Sequence, residues 1–583
     1  MRWPPLRPPR LGWYGTSLGR REKPLVALGY MLAPLVALLP AVATAVDPGA
    51  QHTADRIRAA LVATPAAMGC TMPADSGARW RELDALTRFY GERGYRPFWS
   101  TGDRLDQLLQ ALDGLVDDGL DPRAYGAAAI RERRADEQRS VQDAACLDLL
   151  ATHAYLSAFF DLALGNLDPV HVEPLWRAPG MQRPRPDCER LIDIAVSTPD
   201  DVAAGLARAR PAAHEYHLLR KAHGRLREQT DDADWQPIPG GPLLREGMTD
   251  PRVPVLRARL EAAGFAGGAT PGSPVDRYDA ALAEAVADFQ QRHGLAVDAI
   301  VGPETLEALN ASPEARRAQI AVNLERMRWL AGEQKDIYLL VDVAGARIQY
   351  FRQGEAVWTA RAQVGQPTRR TPLLKSEITH LTFNPTWTIP PTILRNDALP
   401  EIRRDIGYLA RNRIRVLDRS GDELPPESVD WNDPGGIVLR QDAGPHSALG
   451  RVAIRFPNPF HVYLHDTPNQ QLFAADRRAF SSGCVRVERA MELVDLLVAD
   501  GTDGGAERAE ALRAGRRTVN FDLPRPVPIL IAYWTASVDD RGEVVFRPDL
   551  YGRDDALARA LSARQSDRPV RPPCSFPVEA RDP

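Results

Sequence analysis

The residues of this 583-residue chain best suited to chemistry lie between positions 463 and 487. The run Tyr463-Leu464-His465-Asp466-Thr467-Pro468 is followed by Arg478-Ala479-Phe480-Ser481-Ser482-Gly483-Cys484-Val485-Arg486-Val487. A thiol therefore sits in a Ser-Ser-Gly turn, with an imidazole nineteen residues upstream at the end of a β-rich run. A thiol attacks as its thiolate, so it needs a base or a positive charge beside it. His465 can take the proton and Arg486 can favour the anion. Gly483 lets a carbonyl approach the backbone closely, and the amides of the turn can hold a developing oxyanion. Tyr463, two residues before His465, shares its strand face and is assigned to a substrate pocket. The plain alternative is an inert core cysteine and a structural histidine. Two features oppose it: the cysteine lies in a polar turn, and the five cysteines are odd in number in a chain that reads as exported. A zinc site built from His446, His461, His465 and Cys484 would lack any HExxH or CxxC spacing, so neither metal nor cofactor is expected.

The elements that must position this pair form a β-rich region. Ile337 to Val343 and Arg347 to Phe351 flank Ala344-Gly345-Ala346, a hairpin signal. Strand-like runs follow at Trp358–Val364, Thr379–Asn384, Val452–Phe456 and His461–His465, then a helix at Ala490–Val498 and a last strand at Pro528–Thr535. Between them, 395–450 is irregular and rich in proline, glycine and charge. An insertion of that length reads as a lid or a disordered loop. Upstream, 79–235 repeats leucine at three- and four-residue steps and reads as a helical bundle. Its aromatic cluster Phe89, Tyr90, Tyr95, Phe98 and Trp99 reads as core. Pro237 to Pro242 marks a break, and helices at Val253–Ala263, Asp279–Arg292 and after Gly302-Pro303 make a small unit over 240–312. A connecting helix spans 313–334, the β-rich unit 335–540, and a C-terminal extension with a disordered tail 541–583.

Composition bounds the class. At this length several domains are the prior. With 73 basic against 77 acidic residues there is no basic excess to suggest nucleic-acid binding. Residues 1–23 carry six basic side chains and Glu22, and Pro24 to Val46 carry no charge. Ala43-Thr44-Ala45 fits a signal-peptidase site, while the uncharged run is also long enough for a membrane anchor. Either reading of 1–46, followed by a linker over 47–78, places the rest outside the cytoplasm, with inner-membrane anchoring left open.

On these residues the chain resembles known families. Val255, Leu260, Phe289, Gln290, Gly294, Leu295, Asp298, Val301, Gly302, Thr305 and Leu309 fit the three-helix peptidoglycan-binding module, except that Ala299 stands where that family usually has glycine. His465 with Ser-Ser-Gly-Cys484-Val-Arg resembles the L,D-transpeptidase (YkuD) catalytic signature. Val364-Gly365 with Thr371-Pro372, Asn384 to Pro390, and Arg404 to Tyr408 match further. The layout is similar to the large periplasmic YcbB-type enzymes, in which Ser482 replaces the histidine of the commoner Ser-His-Gly-Cys. The resemblance implies a multidomain α+β chain: a helical scaffold, a three-helix peptidoglycan-binding-like module, and a mainly-β YkuD-like domain with a capping insertion.

It also implies a two-step acyl transfer. Cys484 attacks a tetrapeptide stem and releases D-alanine, and a second stem's amine resolves the thioester into a 3→3 cross-link. In that family a backbone carbonyl of the Ser481–Gly483 turn orients His465; Asp466 is the rival on sequence grounds. Cys484, His465 and Gly483 are the expected catalytic residues, with Arg486, Tyr463, Ser482 and Trp387 at the substrate. The partners implied are peptidoglycan stem peptides and glycan, and other cell-wall synthases, in the periplasm. An L,D-carboxypeptidase using the same thioester and a non-catalytic wall-binding scaffold are the rival functions. If Cys484 stays free, one bridge is expected among Cys70, Cys146 and Cys188, with Cys574 unpaired.

Overall fold

The computed structural model describes residues 48–563, apart from positions 64, 67–68, 71–81, 100–102, 137, 174–186, 198, 229–235, 266–267, 269 and 540. The expected export segment and Cys574 lie outside these residues. The amino-terminal part is helical, from Pro48–Ala63 to His214–Glu228. The first of these helices falls in the stretch read as a linker and packs on Val141–Leu164. Val141–Leu164 is long and apolar enough to cross a membrane, but it is the bundle's central helix and is buried on nearly all sides. Phe89, Tyr90, Phe98 and Trp99 are core, as expected, with rings in edge contact at about 5 Å. A polar group does converge on them. Buried Asp148 accepts from Tyr90 Oη at 2.6 Å and from the amides of Phe98 and Trp99. Cys70 and Cys146 form a disulfide, Cys188 is also disulfide-bonded, and Cys484 is free. The expected bridge among the first three cysteines is there, but Cys188 is not left over.

Helices Val253–Ala262, Ala280–His293 and Pro303–Leu309 enclose their own apolar core. The family's motif residues here are staples. Gln290 donates to Asp298 Oδ1, the Ile300 carbonyl and Thr305 Oγ1, and accepts from the Asp298 and Ala299 amides. Ala299 has φ +55°, which is why glycine is usual there and why alanine carries some strain. His293 stacks on Phe289 at 3.9 Å and faces Phe546, so this unit is docked on the carboxy-terminal region.

Helix Pro313–Leu330, capped by Ser312 Oγ on the Ala315 amide and with proline in its first turn, is the hub of the fold. Arg328 and Glu325 are fully buried and paired at 2.7 Å. Arg328 also donates to the Asp118 carbonyl and to Tyr216 Oη, while Glu325 accepts from the Leu167 amide and Trp329 Nε1. Asn323 binds Thr535, and Arg326 binds Asp554. One helix thus grips the amino-terminal bundle and the carboxy-terminal region at once.

The β-rich unit is a nine-stranded sheet in the order β10-β3-β11-β9-β8-β4-β12-β1-β2. Its strands are β1 (Ile337–Asp342), β2 (Arg347–Arg352), β3 (Glu355–Gly365), β4 (Leu374–Phe383), β8 (Val452–Arg455), β9 (Leu464–His465), β10 (Ala479–Ser481), β11 (Val485–Val487) and β12 (Val519–Ala532). Alternation puts Val364, Leu381, Ile454, Leu464, Val485 and Ile531 on one face, sealed by helix Ala490–Gly501. At the β1/β12 end the opposite face is covered by Tyr216, Leu219, Ile320, Leu324 and Met327. At the β9/β11 end that face carries the polar residues described below. The last strand begins nine residues before its expected start. Pro524 and Pro526 hide it in the sequence, and they lie where its register with β4 shifts between Asp522 and Val527.

The insertion is neither irregular nor a disordered loop. Helix Pro391–Ile393, a π-helical turn Leu394–Ala398, helices Leu399–Arg404 and Gly407–Arg411, and the small sheet β5 (Trp387–Thr388), β7 (Val438–Gln441), β6 (Ile414–Leu417) enclose a core of Ile389, Ile402, Leu409, Val416 and Leu439. Beyond β12, strands β13 (Ala536–Val538) and β14 (Val544–Phe546) and helix Asp554–Ser562 carry the ordered chain through the first part of the expected carboxy-terminal extension.

Three buried histidines give the fold a pH dependence. Burial first, and neighbouring arginines next, hold His293 and His465 down to about 3 and His223 to about 4, against 6.5 for a free imidazole. Above about pH 6.5 they are neutral in both states. As the pH falls below that, the unfolded chain takes up protons that the folded chain refuses, and stability drops. Glu215, raised by burial to about 7, works the other way: its contribution is complete at low pH and is lost on rising through about 7. Burial also lowers His217 and His380 and raises Asp342 and Asp554, so five imidazoles stand against three carboxyls and the net is a loss on acidification. The urea midpoint is therefore expected to fall steadily from pH 6.5 to 4.

Candidate active site

Parallel pairing of β9 with β11 builds the site. Val485 lies opposite Leu464 and Arg486 opposite His465. Leu464 and Val485 point into the core, so Tyr463, His465, Cys484 and Arg486 share the other face. This is the convergence that the sequence reading required. Among the described residues no three His, Cys, Asp or Glu side chains are grouped to hold a metal, so the four-residue zinc set is not assembled.

The nucleophile turn is fixed from several sides. Ser481 Oγ donates to the Cys484 carbonyl at 2.5 Å and accepts from the Gly483 amide at 3.1 Å. Thr371 Oγ1, fully buried, donates to the Gly483 carbonyl and accepts from the Gly365 amide. Tyr551 Oη donates to the Gly365 carbonyl and accepts from the Thr371 amide. Gly483 has φ +117°, a conformation that a side chain disfavours. With the Gly483 amide used internally, the amides of Ser482 and Cys484 are left without an acceptor among the described residues. They are the donors available to an oxyanion beside the sulfur.

His465 is buried, and its Nδ1 donates to the carbonyl of Asp466 at 2.6 Å. The orienting acceptor is thus its own neighbour's backbone, not a carbonyl of the Ser481–Gly483 turn. The Asp466 carboxylate faces away and accepts from the Arg451 amide, as strand alternation requires. This hydrogen bond places the proton on Nδ1 and leaves Nε2 as the basic atom. Burial, then the charges of Arg486 and Arg455, keep the ring neutral down to about pH 3. Burial also raises the Cys484 thiol, an effect only partly offset by a backbone hydrogen bond from Tyr463 and by Arg455 and Arg486. The resting pair is a neutral thiol and a neutral imidazole, so the proton leaves as the sulfur attacks. Alkylation of Cys484 by iodoacetamide should therefore rise about tenfold per pH unit from pH 6 to 8. No inflection near pH 6.5 is expected; one there would show that His465 titrates normally.

Arg486 Nη1 donates to Gln363 at 2.9 Å, while its buried Nε has no partner among the described residues. The Arg455 guanidinium lies 3.9 Å from the centre of the Tyr463 ring, and that ring is 5.7 Å from His465. Ser482 is exposed and accepts from Arg369 Nη1 at 2.9 Å. Trp387 is in the insertion's small sheet, opposite Gln441 and against the insertion's core. Sequence reasoning gives Thr371 only as part of a family match, with no role, and passes over Arg455, Arg369 and Tyr551. Of these only Arg455 carried a signal, as the charged residue in the polar phase of an apolar strand.

Comparison with known proteins agrees with this architecture. Residues 84–222 match a scaffold domain, 249–309 a "Putative peptidoglycan binding domain", and 336–517 the L,D-transpeptidase catalytic domain. A Haemophilus influenzae protein described as "Putative L,D-transpeptidase" is 33% identical over 240 residues, which is 40% of this chain and 48% of that protein. The match thus spans about half the relative's length. Solved structures of an L,D-transpeptidase from Xylanimonas cellulosilytica (16% identity, 50% of this chain and 99% of that one, TM-score 0.17) and one from Stackebrandtia nassauensis (11%, 51% and 97%, TM-score 0.19) are also similar. Overlaps at those scores carry no structural argument, and the family rests on the sequence matches. Three stretches of one chain thus match, in order, a scaffold domain, a peptidoglycan-binding domain and, over residues 336–517, the YkuD L,D-transpeptidase catalytic domain.

Proposed function

We propose that the chain forms 3→3 cross-links in peptidoglycan by acyl transfer through Cys484. The sulfur attacks the carbonyl joining the third residue of a tetrapeptide stem to its terminal D-alanine, and His465 Nε2 takes the thiol proton. The carbonyl oxygen becomes an oxyanion facing the Ser482 and Cys484 amides. Collapse breaks the amide bond, His465 returns the proton to the departing D-alanine amine, and a thioester remains. An amine from a second stem, deprotonated by the same imidazole, attacks the thioester; the new amide forms and the thiol is restored. Arg486 and Tyr463 line the donor side, and Ser482 and Gly483 shape the turn.

The observation that carries this reading is the β9/β11 register, which sets base and nucleophile on one face beside two unused amides. The domain set supports peptidoglycan as the polymer engaged. We assign the enzyme to the periplasm on the strength of the basic, then uncharged, amino terminus, acting with other wall synthases and either released or anchored at the inner membrane. Incubation with disaccharide-tetrapeptide, followed by mass spectrometry, tests the proposal. A Cys484 adduct lacking D-alanine and then a cross-linked dimer are expected. Tripeptide alone would make the chain a carboxypeptidase, and activity surviving Cys484→Ala would end the mechanism.

A further inference from the structure

The geometry points to Arg369 as the donor's carboxylate clamp, with Asp397 of the insertion occupying it as an internal stand-in. This rests on the acyl-transfer reading above. The loop after β3 carries Arg369 to the nucleophile turn: the Gln366 amide donates to the Ser481 carbonyl at 3.0 Å, and the Arg369 amide to the Gln366 carbonyl at 2.8 Å. From that fixed backbone the guanidinium reaches two ways. Nη1 donates to Ser482 Oγ at 2.9 Å, two residues before the nucleophile. Nη1 and Nη2 together grip the Asp397 carboxylate, with Nη2 to Oδ1 at 2.7 Å.

Three features mark the fork as a site with a replaceable occupant. A two-nitrogen grip is the geometry by which arginine recognises carboxylates in general. Both side chains are reached by solvent, at 23% and 44% exposure, so the internal pair is weakly held and open to competition. Asp397 is delivered by the π-helical turn Leu394–Ala398, an irregularity that recurs at functional sites. Of the two arginines that act on the thiol, Arg455 lies on the Tyr463 ring and Arg486 is tied through Nη1 to Gln363, so neither presents a free two-nitrogen fork. A tetrapeptide donor brings several free carboxylates, two of them beside the reacting carbonyl, at its terminal D-alanine and on the side chain of its third residue. When either one takes the fork, Asp397 is displaced and the insertion loses its tie to the nucleophile turn, which couples donor capture to movement of the insertion.

The test is the Michaelis constant for Cys484 acylation, measured by mass spectrometry on the full chain. The probes are disaccharide-tetrapeptide with both carboxylates free, amidated at the D-alanine, or amidated at the third residue. Arg369→Gln should raise KM for the free acid at least tenfold, leave kcat within threefold, and abolish the preference for acid over amide. Asp397→Asn should shift KM the opposite way, several-fold down, because the competitor is gone. Arg369→Lys, which keeps the charge but not the fork, should fall between wild type and Gln. Whichever amide loses affinity for the wild type names the carboxylate read. If both variants move KM in the same direction, or Arg369→Gln still prefers the acid, the clamp is wrong while acyl transfer stands. If the wild type forms no adduct with any probe, acyl transfer falls and the clamp with it.

Discussion

Exchanging His465 for glutamine lowers the rate of Cys484 acylation by roughly 10²–10⁴-fold, the usual contribution of a positioned general base. Glutamine is the informative replacement because its amide can still donate to the Asp466 carbonyl that now holds Nδ1. The strand and its neighbours stay in place while the basic nitrogen is removed. Cys484→Ala, by contrast, removes the adduct entirely. The two variants separate in a second measurement: iodoacetamide at high pH still labels the glutamine variant, whose sulfur is intact, and finds nothing to label in the alanine variant. An acylation rate within threefold of wild type for His465→Gln would mean that the thiol loses its proton to another group.

The second large effect concerns stability. Glu325→Ala strands Arg328, fully buried, without its carboxylate. Removing one member of a buried pair costs about 3–5 kcal/mol, because the remaining charge has no solvent to replace its partner. The same change also releases the Leu167 amide and Trp329 Nε1. Replacing both residues, Glu325→Leu with Arg328→Met, should cost much less, since no uncompensated charge remains. In so large a chain unfolding is not a single step, so the measurement is hydrogen exchange along helix Pro313–Leu330 as urea rises. A single variant no less stable than the double would show that the pair is hydrated.

Much of the site was legible from residue types alone. The thiol, the imidazole, the left-handed glycine and the neighbouring arginine all sit within 22 residues and need only a turn and alternation to be interpreted. What the sequence could not supply was pairing. That β9 lies parallel to β11, with Arg486 opposite His465, depends on a crossover that no local pattern encodes. The acceptor for Nδ1 was misassigned for the same reason: choosing between the Asp466 carbonyl and one from the nucleophile turn requires backbone directions, not composition. The insertion read as irregular because its apolar residues are spread over short elements, with no run long enough to show a period. Ile389, Leu409, Val416 and Leu439 meet only once the small sheet has formed. Thr371, though part of a matched motif, and Tyr551 lie 112 and 186 residues from the backbone carbonyls they bind, so no local pattern shows what either one holds.

The order of strands in the sheet carries a consequence of its own. Every group proposed to act chemically precedes position 487 in the chain, yet β12, which begins at Val519, lies in the interior of the sheet between β4 and β1. Tyr551, which braces the loop behind the nucleophile turn, comes later still. A nascent chain therefore holds its thiol, its imidazole and their strands before it holds the framework that aligns them. Competence is expected to arrive with β12 and Tyr551, so chains that stop before them should be inert. By the same token, a protease that trims the chain back past Tyr551 silences the enzyme without touching one reactive atom.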